Sequence, residues 1–166
     1  KKDITLYVEC KKSIKQSWVF YTEEAISWLE VLIRAMKFDQ TSVFRLVPTE
    51  HKFLKSKIAY LCQTIFGGKD DFYKAQMQVL KSLKYCEKEV QKHPRAVYPV
   101  ILFDGHIFEC DLVDEDIKIA EIQFVRYLSG GLPEDYYPVL IDVMTLAYLP
   151  KYLEALQIEF NKLEAQ

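Results

Sequence analysis

The residues with the clearest chemical potential are Glu9, Cys10 and Lys11, at the end of a short apolar run. Residues 4–8 are β-branched, aromatic or apolar, the composition of a strand covered on both faces. Side chains two apart on a strand share a face. Glu9 and Lys11 therefore project together, and Cys10 points the other way, toward packing. A carboxylate beside an ammonium at a strand end can hold a divalent cation, orient a water and stabilise an anionic transition state. The plainer alternative is a surface ion pair that closes a strand.

Two other acid-x-Lys triplets occur, Glu50-His51-Lys52 and Asp116-Ile117-Lys118, and neither follows an apolar strand. Lys11, Lys12 and Lys15 make residues 11–17 basic, suited either to contact with a phosphate backbone or to keeping a loop solvated.

The run Val8-Glu9-Cys10-Lys11-Lys12-Ser13, with Trp18-Val19-Phe20 after it, resembles the central motif of the PD-(D/E)xK, or restriction-endonuclease-like, nucleases, in an uncharacterised prokaryotic branch. The resemblance is anchored on residues 3–20 and runs more loosely through 99–105 and 139–153. It implies an α/β fold, a mixed sheet flanked by helices, and hydrolysis of phosphodiester bonds with Mg²⁺ or Mn²⁺. By the same resemblance Glu9, the Cys10 carbonyl and an Asp from a preceding strand hold the ion. Lys11 is then catalytic, and Lys12, Ser13 and Lys15 contact nucleic acid, DNA before RNA. Asp3 cannot be the missing ligand, because six residues of strand separate it from Glu9 by roughly 20 Å. The competing expectation is a non-catalytic module, binding protein or nucleic acid, that keeps the nuclease fold. A small-molecule enzyme using the same strand end is a third.

The elements that must position this motif can be read from periodicity. A helix is expected over residues 23–37, a strand over 43–47, and a pair of inserted helices over 50–66 and 71–92. A strand over 96–103 leads into Asp104-Gly105, a turn dipeptide, and a returning arm over 107–112. Residues 119–127 form a further strand with Ile122, Phe124 and Tyr127 inward and Arg126 less so. Residues 137–145 are strand-like, with Val139, Ile141 and Val143 on one face and Leu140, Asp142 and Met144 on the other. Pro150 fits the first turn of a closing helix over 151–164. Asp111, Asp114, Glu115 and Asp116 cluster in sequence; they lack calcium-loop spacing and read first as a solvated turn.

With 166 residues, half of them hydrophobic, the chain suits one domain with a large core. A net charge of −2 gives no basic footprint over the whole chain. Cys10, Cys62, Cys86 and Cys110 show no zinc spacing and read as reduced, buried thiols of a cytoplasmic protein. His51, His93 and His106 show no ligand spacing, and the last two read as surface residues. No secretory signal or membrane span is expected. The chain starts at Lys1 without Met, which suggests a fragment of a larger multidomain chain; a homodimer is the other assembly expected.

Overall fold

The computed structural model describes residues 3–23, 58–65, 71–92, 95–113, 116–129 and 139–164. The expected helix over 23–37 and strand over 43–47 lie outside them, apart from Glu23, which ends a strand.

Among the described residues, six strands and two long helices follow one another as β1 (Asp3–Glu23), β2 (Ile58–Ile65), α1 (Asp71–Lys92), β3 (Arg95–Val113), β4 (Asp116–Ile122), β5 (Phe124–Leu128), β6 (Leu140–Thr145) and α2 (Leu149–Glu164). A single 3-10 turn, Leu146–Tyr148, joins β6 to α2. The sheet is mixed: β1–β3, β2–β5 and β3–β6 are parallel, whereas β1–β2, β3–β4 and β5–β6 are antiparallel. The α/β class expected from sequence is thus observed.

The N-terminal half of β3 explains why both helices are needed. Its residues alternate between two clusters, so the strand is buried on both sides. Val97, Ile101 and Phe103 join Trp18, Phe20, Val125, Tyr127, Ile141 and Val143. Against them α1 lays Phe72, Ala75, Val79, Leu80 and Leu83, spaced three and four apart as an amphipathic helix requires. Tyr98, Val100 and Leu102 face the other way, onto Met144, Tyr148 and the α2 residues Tyr152 and Leu156. Pro150 sits in the first turn of α2, where its missing N–H costs no hydrogen bond.

Three expectations are corrected. Residues 58–65 are not part of an inserted helix: they form β2, which pairs antiparallel with residues 17–23 of β1. Of the inserted helical pair, the described residues show α1 alone. Asp104-Gly105 is no hairpin turn; β3 runs through it and stays parallel to β1 on either side. The hairpin lies later, where residues 107–113 pair with β4. The strand expected over 119–127 is two strands, broken at a bend on Gln123, and Arg126 is buried with 2 % exposure.

Candidate functional site

Residues 3–12 of β1 run level with 95–104 of β3, and pairing resumes at Ser17 opposite His106. Between these two registers residues 13–16 of β1 stand against Gly105 alone, a wide bulge on the β1 side. A glycine inside a strand marks such irregularities, since it has no side chain to obstruct the bulged chain. The motif ends where this bulge begins.

Strand alternation places Glu9 and Lys11 on the α1 side of the sheet. Lys11 Nζ lies 3.1 Å from Glu9 Oε1, with their side chains 29 % and 23 % exposed. The same ammonium donates to Gln78 Oε1 of α1 at 2.8 Å. Two of its three donors are thus engaged among the described residues, which fixes the head group. Gln16 at the far side of the bulge donates to Asp71 in the first turn of α1, so both ends of the bulge are tied to that helix.

The other predicted site residues divide. Lys12 is exposed and level with Asp104. Cys10 occupies the opposite face from Glu9, as alternation requires, but its thiol is exposed and packs into no core, contrary to the expectation of a buried cysteine. Cys62 and Cys110 are half-buried, and burial pushes the Cys62 thiol well above its ordinary value. Ser13 and Lys15 lie in the bulged stretch of β1; their side chains are outside the described residues. The structure brings together Glu9 and Lys11. Among the described residues no three His, Cys, Asp or Glu side chains gather as a cation site, at the motif or at the acidic turn. Asp111, expected in a solvated turn, is buried.

A charged group that sequence reasoning placed wrongly lies between β5 and β6. Arg126 stands directly opposite Asp142 in the antiparallel ladder. Its Nε donates to Asp142 Oδ1 at 2.8 Å and its Nη2 to Oδ2 at 3.3 Å. Tyr152 of α2 donates to the same Oδ2 at 2.7 Å. Burial acts to lower the Arg126 pKa, but the charge and hydrogen bonds of Asp142 outweigh it and hold the guanidinium charged. Burial first, and then Asp142, push the Tyr152 phenol well above its ordinary range. The signal available in the sequence was one charged residue set inside each of two apolar strands.

At the carboxyl ends of the parallel strands a third group assembles. Lys11, Phe103 and Thr145 stand level across β1, β3 and β6. Beyond them His106 Nδ1 lies 2.8 Å from Glu121 Oε1. His106 is exposed, as expected, but in strand rather than turn. No helix among the described residues is long and apolar enough to cross a membrane. No protein-family model, no curated protein and no solved structure matches this chain.

Proposed function

We propose that the protein is a metal-dependent nuclease of the restriction-endonuclease-like class, hydrolysing phosphodiester bonds of nucleic acid with Mg²⁺ or Mn²⁺. The observation that carries this reading is the Glu9–Lys11 pair, 3.1 Å apart and partly open to solvent at a strand end. A mixed sheet with a helix on either side is compatible with that class.

Glu9 suits a hard cation as one carboxylate ligand, with the Cys10 carbonyl as a further oxygen. Mg²⁺ is commonly held by one or two carboxylates, with waters and substrate phosphates completing its octahedron. Bound there, the ion would supply Lewis acidity and an acidified water. The chain's own part is positioning and charge. Gln78 and Glu9 hold the Lys11 ammonium in place, and its remaining donor is available to a phosphate oxygen or the attacking water. Lys12, exposed on the same strand end, supplies a point charge for a neighbouring phosphate, and Ser13 and Lys15 are given the same role by the sequence motif alone.

A second reading, the interaction module, is favoured by the chain's net charge of −2 and by the motif's showing, among the described residues, no group of three His, Cys, Asp or Glu side chains. Cleavage of plasmid and single-stranded DNA by the full chain, with Mg²⁺ or Mn²⁺ and with chelator, separates the two. For a nuclease, Glu9→Gln and Lys11→Met each lower the rate by about 10²–10³-fold, the cost of removing one transition-state contact. Equal cleavage by all three proteins would falsify the roles given to both residues. No cleavage by any of them, with DNA binding retained, selects the module.

A further inference from the structure

Lys11 Nζ meets Gln78 Oε1 at 2.8 Å, so the flank of α1 that carries Gln78 continues the surface of the strand end. Spacings of three, four and seven residues from Gln78 put Lys74, Lys81, Ser82 and Tyr85 on that side of the helix. All of them are exposed. The opposite stripe, with Phe72, Val79 and Leu83, is the one laid into the core.

This flank has a local excess of positive charge in a chain whose net charge is −2. From Asp71 to Tyr85, α1 carries Lys74, Lys81 and Lys84 against one carboxylate, Asp71. That carboxylate accepts from Gln16 and lies 3.8 Å from Lys74. Farther along the helix Glu87 and Glu89 balance Lys88 and Lys92. The excess is therefore confined to the turns beside the strand end, where Lys12 adds to it and Glu9 is already paired with Lys11. Tyr85 stands two turns, about 10 Å, beyond Gln78 on the same flank. It is 85 % exposed, the most open of the large hydrophobic side chains among the described residues. A ring this open contributes little to the core and can offer its face to a flat ligand.

We infer that this flank of α1 is a track for single-stranded nucleic acid. Lys74 and Lys81 draw the sugar-phosphate backbone along the helix, and Tyr85 stacks on a base about two helical turns from the Lys11 ammonium. Lysines alone attract any polyanion. The open ring beside them selects a single strand, because only an unpaired base has a face to stack, whereas a duplex keeps its bases stacked inside. The assignment rests on reading the strand end as a nucleic-acid site, and it adds the form of the substrate and the path along which it lies.

Fluorescence anisotropy of a short labelled oligo(dT), titrated with the full chain in chelator, measures binding without cleavage; a duplex of the same length is the control. The single strand is expected to bind about tenfold tighter than the duplex. Tyr85→Ala is expected to weaken binding about tenfold with an unchanged salt dependence, and Tyr85→Phe, which keeps the ring, to bind as the parent does. Lys81→Ala is expected to weaken binding and to lower the slope of log affinity against log salt by about 0.7, the loss of one phosphate contact on a single strand. The positions are exposed, so none of these changes touches the core. The inference is overturned if oligo(dT) is not bound, if the duplex binds as well as the single strand, or if Tyr85→Ala binds as the parent does. Failure of the nuclease reading looks different: a chain that binds oligo(dT) through Tyr85 and Lys81 in chelator, and never cuts it with Mg²⁺ or Mn²⁺, keeps this assignment and loses that one.

Discussion

Two acid–base pairs in this molecule are made from similar parts and do different work. Arg126 and Asp142 face each other across β5 and β6 with almost no exposure, whereas Glu9 and Lys11 follow one another on β1 with about a quarter of each side chain in solvent. In the first pair the charges have no alternative to each other. Arg126 uses Nε and Nη2 on Asp142, Tyr152 donates a third hydrogen bond to the carboxylate, and Nη1 has no partner among the described residues. In the second pair water can replace either partner. Burial thus makes one pair a fixed joint between β5, β6 and α2, and leaves the other free to exchange its partner for a ligand.

The comparison is broken most directly by removing Asp142. Asp142→Ala leaves a buried guanidinium uncompensated, and loss of one partner of a buried pair costs about 3–5 kcal/mol. Urea unfolding is expected to show a loss of that size. Replacing both partners by apolar residues, Arg126→Met with Asp142→Leu, is expected to recover most of it, because neither charge is then buried alone. If Asp142→Ala cost no more than a surface substitution, the buried pair would not be the joint described.

Tyr152 sharpens the same point at smaller cost. Tyr152→Phe removes a hydrogen bond to an ionised acceptor, worth about 1.5–3 kcal/mol. It also predicts an alkaline signature. Folding raises the Tyr152 pKa above its ordinary 10.0 and the Cys62 pKa above its ordinary 9.0. The unfolded chain therefore releases these protons at lower pH than the folded one. The stability they contribute is complete below pH 9.0 and is lost as pH rises through the two unfolded values toward the folded ones. Thermal unfolding followed from pH 8 to pH 11 should decline over that span, and the deficit of Tyr152→Phe should narrow above pH 10.

How far the two pairs could be read from sequence also differs. Glu9 and Lys11 were legible because strand alternation is local: an apolar run, then an acid and a lysine two apart. Arg126 was misplaced because a charged side chain was read as facing outward, although alternation from Phe124 would have turned it inward. That reading fails in a central strand, since a strand covered on both sides does not alternate apolar with polar. Residues 58–65 show the same limit. Ile58, Leu61, Cys62 and Ile65 fit a helical repeat, and in a run this short the period cannot decide. What decides is pairing with residues 17–23, more than thirty residues away in the chain. Asp104-Gly105 is the converse case, a strong local turn preference overridden by the long parallel register between β1 and β3.

The smallest expected effect is the one that best separates the two pairs. Lys11→Met keeps the length of the side chain and removes its charge. Partly exposed ion pairs contribute about 0.2–1 kcal/mol, and the lost bond to Gln78 is open to replacement by water. The midpoint of urea unfolding should therefore barely move, with an unchanged slope, while metal-dependent cleavage falls as set out above. A large loss of stability would mean that Lys11 clamps α1 to β1 through Gln78 and serves the fold before any chemistry. A small loss means that the strand end holds a charge the fold does not need, with an ammonium open to water and able to exchange that water for a ligand.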